Sequence, residues 1–192
     1  MAAPKKTELE KLLSCEIYTY TDPELAVLRR RCRRLLDIYN KSGEDDNFRR
    51  ELIEEILMYP VDTNFYIQPP FYCDYGHNIH IGKNFMANFD CVILDCAPIY
   101  IGDNVLMGPK VQIYAVGHPT DPVYRAKPIE VGNTIKIGNN VWIGGGSIVL
   151  PGVTIGDNTI IGAGSVASKD IDANVIAVGN PCKVVRTLDP SE

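Results

Sequence analysis

Apolar residues and glycines recur through most of this chain with a period of six. The period is marked by seven Ile-Gly or Met-Gly steps, at Ile81-Gly82, Ile101-Gly102, Met107-Gly108, Ile137-Gly138, Ile143-Gly144, Ile155-Gly156 and Ile161-Gly162. A short fixed period indicates that each hexad repeats one piece of backbone geometry. The pattern therefore predicts a solenoid of stacked, equivalent short segments.

Each hexad has two positions that we expect to face the interior. The first is mostly aliphatic, at Ile81, Ala87 and Ile93, then, after a two-residue insertion at Ile99-Tyr100, at Ile101, Met107, Ile113, Ile137, Ile143, Val149, Ile155 and Ile161. The second, four residues later, is small or apolar, at Phe85, Cys91, Ala97, Val105, Val111, Val141, Ser147, Val153, Thr159 and Ser165. This spacing suits short parallel strands joined by tight turns, with three sides to an 18-residue coil.

Asparagine and aspartate fall between the predicted strands, where the chain must turn. These residues tolerate the left-handed backbone region better than other side chains do. We therefore expect corners of the solenoid at Asn84, Asp103-Asn104, Asn139-Asn140 and Asp157-Asn158.

Residues 7 to about 59 have a helical pattern instead. One apolar stripe comprises Leu25, Leu28, Cys32, Leu35 and Tyr39, and a second comprises Phe48, Leu52, Ile56 and Tyr59. Thr21 or Asp22 can cap the first helix and Pro23 suits its first turn, whereas Pro60 stops the second. We therefore expect two amphipathic helices that cover part of the solenoid.

Five arginines lie within residues 29–34, a run that invites a nucleic-acid interpretation. The apolar stripe passes through this run at Cys32 and leaves the arginines on the other helix faces. A solvated helix face is therefore the favoured interpretation. Contact with acidic groups of a neighbouring subunit is the alternative.

Composition excludes several classes of function. The 192 residues are 45% hydrophobic, which is ordinary for a globular domain. Their net charge of −5 lacks the excess of positive charge that binds nucleic acid or an anionic membrane. No apolar run approaches the roughly 20 residues that span a bilayer. The first six residues lack the apolar core of a signal peptide, and the six cysteines contain no Cys-x-x-Cys pair. We expect a cytoplasmic protein with reduced thiols.

The repeat is interrupted between Ile113 and Ile137. The intervening segment contains three prolines, at 119, 122 and 128, and no hexad pattern. It must leave the coil as an extended loop at about residues 116–134, with His118 at its base. Loops held by a rigid scaffold are common places for function.

Several motifs in this order resemble the maltose, galactoside and nodulation O-acetyltransferases of the hexapeptide-repeat acyltransferases. They are Tyr72-Cys73-Asp74-Tyr75-Gly76, residues 88–95 (NFDCVILD), Gly117-His118-Pro119, residues 137–144 (IGNNVWIG) and residues 178–186 (VGNPCKVVR). The resemblance implies a mainly β fold, a single-stranded left-handed parallel β-helix at residues 61–186 with an N-terminal helical cap at 1–60 and a tail at 187–192. It also implies a homotrimer with active sites between subunits.

The same resemblance implies acetyl transfer from acetyl-CoA to a sugar hydroxyl of the maltose or glucose type, with no metal. An alcohol is a weak nucleophile, so its proton must be removed during attack, and His118 would be the general base. The attack would be direct, without an acyl-enzyme. Asp74, Asn88 and Asp95 occupy the positions that bind the acceptor in the family.

Coenzyme A would lie in a groove between adjacent solenoids. By resemblance, this groove is lined by Gly145, Ala163, Ser168 and Lys169, and the phosphate end meets Lys183 and Arg186. Gly145 stands where the galactoside enzymes bear a serine, which favours the maltose-type branch.

Relatives often carry an acidic residue soon after the first aromatic of the cap. Here the stretch is Tyr18-Thr19-Tyr20-Thr21-Asp22, where Asp22 either takes that role or only caps a helix.

The sequence leaves open two alternatives to acetylation of a sugar. One is transfer to a non-sugar hydroxyl, of an antibiotic or an amino acid, because enzymes of that kind share the hexads and a loop histidine. The other is a non-catalytic solenoid that serves as a structural or metal-binding trimer. Zinc is disfavoured because His77 and His80, three residues apart on a strand, would point to opposite faces.

Overall fold

The computed structural model describes residues 5–189, which begin with a cap of three helices and one short strand. These are α1 (Glu8–Leu13), β1 (Tyr18–Thr19), α2 (Pro23–Tyr39) and α3 (Asp46–Leu57). The predicted start of α2 is confirmed, because Oδ1 of Asp22 accepts the backbone N–H groups of Glu24 and Leu25 and Pro23 occupies the first turn. Asp22 is therefore the helix cap.

The expectation of a helical region from residue 7 to about 59 is wrong in detail. Thr7 caps α1, and the chain leaves this helix at Ser14 and Cys15, the latter with φ of 58°. It then forms β1 before α2 begins. Phe48 is also not part of the buried stripe, since 42% of it is exposed and Ile53 and Leu57 are buried instead. The buried face of α3 is thus rotated from the predicted one.

The rest of the chain winds into three-sided coils, and each side stacks into a parallel sheet. The first face carries β2 (Tyr66–Ile67), β5 (Met86–Ala87), β8 (Leu106–Met107), β13 (Trp142–Ile143), β16 (Ile160–Ile161) and β18 (Val175–Val178). The second face carries β3 (Phe71–Cys73), β6 (Cys91–Leu94), β9 (Gln112–Tyr114), β14 (Ile148–Val149) and β17 (Val166–Ala167). The third carries β4 (Ile79–Ile81), β7 (Ile99–Ile101), β12 (Ile135–Ile137) and β15 (Thr154–Ile155).

The inward positions predicted from the hexads form one continuous core. Every residue at these two positions is buried except Ile81, which is half-buried. The 18-residue coil is confirmed for the later part of the solenoid, since Ile143 lies beside Ile161 and Ile137 beside Ile155. It is wrong for the earlier coils, which take 20 residues because Ile79 pairs with Ile99 and Met86 with Leu106. Leu52 and Ile56 of α3 and Cys32 of α2 join this same core, so the cap and the coils share one apolar interior.

A ladder of asparagines runs along one corner of the solenoid. Asn84, Asn104, Asn140, Asn158 and Asn174 all have φ between 54° and 59°, as the left-handed turn requires. Each side-chain amide donates to the next at 2.8 Å, from Asn64 through to Asn174. The corners expected at Asn84, Asn104, Asn140 and Asn158 are confirmed.

The interrupting segment folds back over the solenoid next to the cap. It contains β10 (Val116–Gly117), α4 (Pro122–Arg125) and β11 (Ile129–Gly132). The strand β11 pairs antiparallel with β10 on one side and with β1 on the other, so the small sheet joins the loop to the cap. A Cβ on Gly132 would lie 2.6 Å from both Cys96 O and Ala97 Cβ. Glycine thus lets β11 pack directly on the coil.

The last described strand lies on the first face. β19 (Lys183–Thr187) turns back and pairs antiparallel with β18. The tail assigned to 187–192 lies partly outside the described residues, as do the first four residues of the cap. Across residues 5–189, no helix has both the length and the apolar character needed to cross a membrane.

Candidate active site

His118 lies directly after β10, exposed, at the point where the loop leaves the solenoid. Its Nδ1 is 3.3 Å from the carbonyl oxygen of Ile129 on the neighbouring strand. A carbonyl oxygen can only accept, so this contact requires the proton of the neutral ring to be on Nδ1. Nε2 then carries the lone pair. The loop geometry therefore leaves Nε2 as the nitrogen of the neutral His118 ring that can accept a proton.

Asp74 and Asp95 lie at the corner that follows the second face, from which the His118 segment also departs. Asp95 is fully buried, and its Oδ1 accepts the backbone N–H groups of Asp74 at 3.0 Å and Tyr75 at 2.9 Å. Asp74 is half-buried, and its Oδ2 accepts from the Cys96 thiol at 3.3 Å. Asp95 therefore supports the backbone that carries Asp74, and of the two only Asp74 reaches the surface.

Burial controls protonation at this corner. Desolvation raises the pKa of Asp95 to about 6, helped by the nearby Asp74 carboxylate and opposed by the backbone hydrogen bond from Tyr75. The pKa of the Cys96 thiol is also raised, mainly by burial and then by Asp74 and Glu130. Cys96 therefore acts as a hydrogen-bond donor at this corner, not as a thiolate nucleophile.

Asn88 lies on a different corner, between the first and second faces. It is half-buried, and its Oδ1 accepts the backbone N–H of Phe89 at 2.8 Å, a contact that stabilises its own turn. The second face separates the two corners by one strand, such as the four residues Cys91–Leu94, or about 13 Å at about 3.3 Å per residue. One subunit therefore does not bring Asn88 beside His118.

The residues expected to line the coenzyme A groove divide between the same two corners. Gly145 and Ala163 stack on the Asn88 corner, where Gly164 N donates to Gly145 O at 3.0 Å. Ser168 and Lys169 follow β17 and are exposed on the same corner as Asp74. The second face thus has small residues along one edge and polar residues along the other.

Lys183 and Arg186 are exposed on β19 at the C-terminal end of the solenoid. They lie opposite Val178 and Ile176 of β18 respectively. Both belong to the last coil and its antiparallel extension, beyond β16 and β17. The structure thus separates these two cations from the His118 corner by several coils.

Three residues adjoining the His118 corner were not predicted as site residues: Tyr18, Cys96 and Glu130. Tyr18 is buried, and its hydroxyl donates to Glu130 Oε2 at 2.5 Å across 112 positions of sequence. A contact between residues so far apart in sequence cannot be predicted from the local spacing of apolar and polar residues. Two sequence features do point to this region: Glu130 lies in the loop twelve residues after His118, and Tyr18 is the first aromatic of the cap.

Two arginines of the 29–34 run make specific contacts within the cap and with the coil. Arg29 donates to the hydroxyl of Tyr75 at 2.6 Å and to the carbonyl of Tyr20, and so ties α2 to both the Asp95 corner and the segment after β1. Arg31 donates to the carbonyl of Glu55 on α3 at 2.6 Å. The interpretation of a wholly solvated face is therefore wrong for these two, while Arg30, Arg33 and Arg34 are exposed.

His77 and His80 are engaged elsewhere. His77 packs edge-on to Tyr75, and burial lowers its pKa. His80 stacks between Tyr59 and Tyr100 on the third face. Within the part of the chain that the structure describes, no group of three or more His, Cys, Asp and Glu side chains is arranged to hold a metal ion.

Two protein-family models match parts of this chain, and solved structures resemble it along nearly its whole length. Residues 134–169 match the bacterial transferase hexapeptide model of six repeats, and residues 11–58 match the maltose acetyltransferase hexapeptide capping motif. A Saccharomyces cerevisiae protein that carries the provisional name of an acetyltransferase is 49% identical over 182 residues, 94% of this chain and 92% of its own length.

Two solved structures have the same fold along nearly their whole length. A maltose O-acetyltransferase from Clostridium difficile 630 superposes with a TM-score of 0.93 at 46% identity, covering 96% of this chain and 98% of that one. A galactoside acetyltransferase in complex with coenzyme A superposes with a TM-score of 0.91 at 40% identity, covering 97% and 94%. The predicted left-handed parallel β-helix with a helical cap is confirmed.

Proposed function

The chain belongs to the hexapeptide-repeat acetyltransferases, and we propose that it transfers the acetyl group of acetyl-CoA to a hydroxyl of a maltose- or glucose-type sugar. The observation that carries the proposal is the orientation of His118, whose Nδ1 faces the Ile129 carbonyl and leaves Nε2 free at an exposed position. Nearby, Asp74 presents a half-buried carboxylate to the same corner.

In the proposed reaction, Nε2 of His118 removes the proton of the acceptor hydroxyl as its oxygen attacks the thioester carbonyl. The C–O bond forms, the C–S bond of the tetrahedral intermediate breaks, and the imidazolium returns the proton to the departing coenzyme A sulfur. No covalent acyl-enzyme is required. The Ile129 carbonyl stabilises the imidazolium by keeping its hydrogen bond to Nδ1–H throughout.

The acceptor would be bound mainly by Asp74. A carboxylate can accept hydrogen bonds from two neighbouring hydroxyls, a pattern that sugars offer. Asp95 would contribute indirectly, because it fixes the Asp74 backbone through Oδ1 and is itself buried. Asn88 would contribute from an adjacent subunit, since its corner lies across the second face from His118 within one chain.

Acetyl-CoA would lie between two solenoids, along Gly145, Ala163, Ser168 and Lys169, with Lys183 and Arg186 near its phosphates. This placement explains why small residues line one corner and cations lie further along the axis. Assembly as a homotrimer is supported by exposed apolar side chains in register on the first face, Tyr66, Leu106 and Trp142. Such a row is costly to leave in water.

Replacement of His118 tests the proposal. In His118→Ala, acetyl transfer from acetyl-CoA to glucose or maltose should fall by about 10²- to 10⁴-fold, the usual contribution of a general base. The protein should still bind coenzyme A, measured by calorimetry. His80→Ala is the matched control, since His80 is exposed on the third face, and it should retain activity. Full activity of His118→Ala would exclude this mechanism.

The acceptor class needs a separate experiment. Coenzyme A release should be followed with glucose, maltose and galactosides, and with an antibiotic and a serine derivative that offer a non-sugar hydroxyl. We expect the highest kcat/KM with a glucose-type acceptor. If a non-sugar acceptor is preferred by tenfold or more, the sugar assignment is wrong while the acetyl transfer and its base remain.

A further inference from the structure

Tyr18 of the cap makes a hydrogen bond whose position suggests more than packing. Its ring is buried in a small apolar cluster with Leu12, Leu25, Tyr75 and Cys96, against which Val116 of β10 also packs. Its hydroxyl donates to Oε2 of Glu130 at 2.5 Å. Burial and the adjacent Cys96 raise the pKa of Tyr18, so the hydroxyl keeps its proton and remains a donor.

Glu130 links Tyr18 to the strand that orients His118. Tyr18 lies opposite Glu130 in the β1 and β11 pair, and Gly117 lies opposite Val131 in the β10 and β11 pair. His118 follows directly after Gly117, one residue beyond this pairing. The residue before Glu130 supplies the carbonyl that contacts His118 Nδ1. Glu130 is thus paired with Tyr18 on one side, and its neighbour Ile129 contacts the His118 ring.

The segment β11 depends on the cap for its position. Its inner side rests on the coil at Cys96 and Ala97, through Gly132. Its outer edge is bound by β1, and Tyr20 N donates to the Pro128 carbonyl at 3.1 Å. The rest of the loop, residues 118–128, is exposed except for Pro119, which is half-buried. The cap therefore provides the outer support of β11.

We propose that Tyr18 is a positioning residue for His118, which acts by holding Glu130 and the β11 backbone so that the Ile129 carbonyl orients the imidazole. The proposal rests on the function proposed above, in which His118 is the base. Tyr18 contacts neither the acceptor nor acetyl-CoA in this role. A displaced β11 would leave Nδ1 without its acceptor and would allow the other neutral tautomer, in which Nε2 is protonated and cannot act as a base.

Kinetics of conservative variants provide the first test, with acetyl-CoA and the best sugar of the acceptor panel. Tyr18→Phe keeps the ring but removes the donor, and kcat should fall by about 10- to 100-fold, as expected when a reacting group is misplaced. The KM for acetyl-CoA should not change. Glu130→Gln retains an acceptor for the Tyr18 hydroxyl and should keep most of the activity, whereas Glu130→Ala should match Tyr18→Phe.

Coupling between the two positions should also be visible. The double variant Tyr18→Phe/Glu130→Ala should lose no more than either single variant, since both remove one hydrogen bond. Tyr39→Phe is the matched control, because Tyr39 is equally buried and donates to the Ile67 carbonyl, away from β11. Wild-type kcat in Tyr18→Phe, or an equal loss in Tyr39→Phe, would overturn the proposal.

A second measurement does not depend on activity. The chain has three histidines, so the imidazole nitrogens of His118 can be assigned in protein labelled with ¹⁵N-histidine, using His118→Ala as reference. The neutral ring should be protonated on Nδ1 in the wild type and should become a mixture of tautomers in Tyr18→Phe. If His118→Ala stays active, the catalytic assignment fails, yet this spectrum still decides whether Tyr18 positions the ring. An unchanged tautomer in Tyr18→Phe would contradict the positioning role.

Discussion

Asp95 lies directly beneath the backbone of Asp74, with 3.0 Å between its Oδ1 and the Asp74 nitrogen. The same oxygen accepts from Tyr75, while Oδ2 has no hydrogen-bond partner among residues 5–189. A buried carboxylate that is satisfied on only one oxygen is costly to ionise. Asp95 thus supports the Asp74 backbone, and its ionisation makes the free energy of unfolding depend on pH.

Asp95→Asn should make the protein more stable than the wild type at pH 8 but not at pH 4. Burial raises the pKa of Asp95 from 3.8 to about 6. An acid with a raised pKa stabilises the fold while protonated, so its contribution is complete below about pH 3.8 and is lost as the pH rises through about 6. The shift of about two units corresponds to about 3 kcal/mol. Thermal unfolding of both proteins between pH 4 and 8 measures the difference.

Asp37→Asn serves as the control for Asp95→Asn, because Asp37 is an exposed carboxylate on α2. A stability difference between Asp95→Asn and the wild type that stays constant from pH 4 to pH 8 would contradict the prediction. Activity should change little in Asp95→Asn, since its amide oxygen can still accept the Asp74 and Tyr75 N–H groups.

Asp95→Ala should be more harmful than Asp95→Asn at every pH. It leaves two buried backbone donors, at Asp74 and Tyr75, without the oxygen they bond. Each unsatisfied buried group costs about 1–3 kcal/mol. We also expect the KM for the acceptor sugar to rise while the KM for acetyl-CoA is unchanged. If both KM values rise together, the corner supports the whole fold and not specifically Asp74.

The asparagine ladder predicts an order of stability at one corner. Asn104 has φ of 58°, and its side chain accepts a hydrogen bond from Asn84 and donates one to Asn140, both at 2.8 Å. Asn104→Ala loses both bonds and places an alanine in the left-handed region, for a cost of about 2–3 kcal/mol. Asn104→Gly loses only the bonds, so it should unfold at a higher temperature than Asn104→Ala.

The end of the ladder offers the control. Asn64 makes one ladder bond, to Asn84, so Asn64→Ala should cost less than either change at Asn104. Equal melting temperatures for the alanine and glycine variants at 104 would show that backbone strain contributes nothing there.

The parts of the fold that repeat every six residues could be predicted, because burial of the inward positions and the turn geometry are both local requirements. The position of Asn104 is an example. The pairing of Tyr18 with Glu130, and of Arg29 with Tyr75, could not be predicted, since each depends on how the cap docks on the coil. Phe48 was misassigned for a similar reason: the spacing on α3 allows two adjacent faces, and packing selects the one with Ile53 and Leu57.

Gly108→Ala should disturb both stability and the proposed coenzyme A groove. A Cβ at 108 would lie 2.5 Å from the Gly145 nitrogen and 2.8 Å from its Cα, and backbone atoms cannot swing aside. The coils must separate locally, at a cost of about 1–3 kcal/mol. Because Gly145 is proposed to line the groove, the KM for acetyl-CoA should also rise. Gly43→Ala, which meets nothing within 4 Å, is the control and should resemble the wild type.

Lys183→Ala tests whether the cations of the last coil bind the phosphates of acetyl-CoA. Lys183 is exposed on β19, and loss of one charge-assisted contact, worth about 1.5–3 kcal/mol, should raise the KM for acetyl-CoA by about tenfold or more. The kcat should stay constant, because β19 lies several coils away from His118. The salt dependence of KM should weaken in the variant, since one screened ionic contact is gone.

Lys136→Ala is the control. Lys136 is an exposed lysine on the third face, so its replacement removes the same charge outside the proposed groove and should leave the KM for acetyl-CoA unchanged. Equal effects of the two lysine variants would mean that net charge, not a phosphate contact at Lys183, determines the affinity.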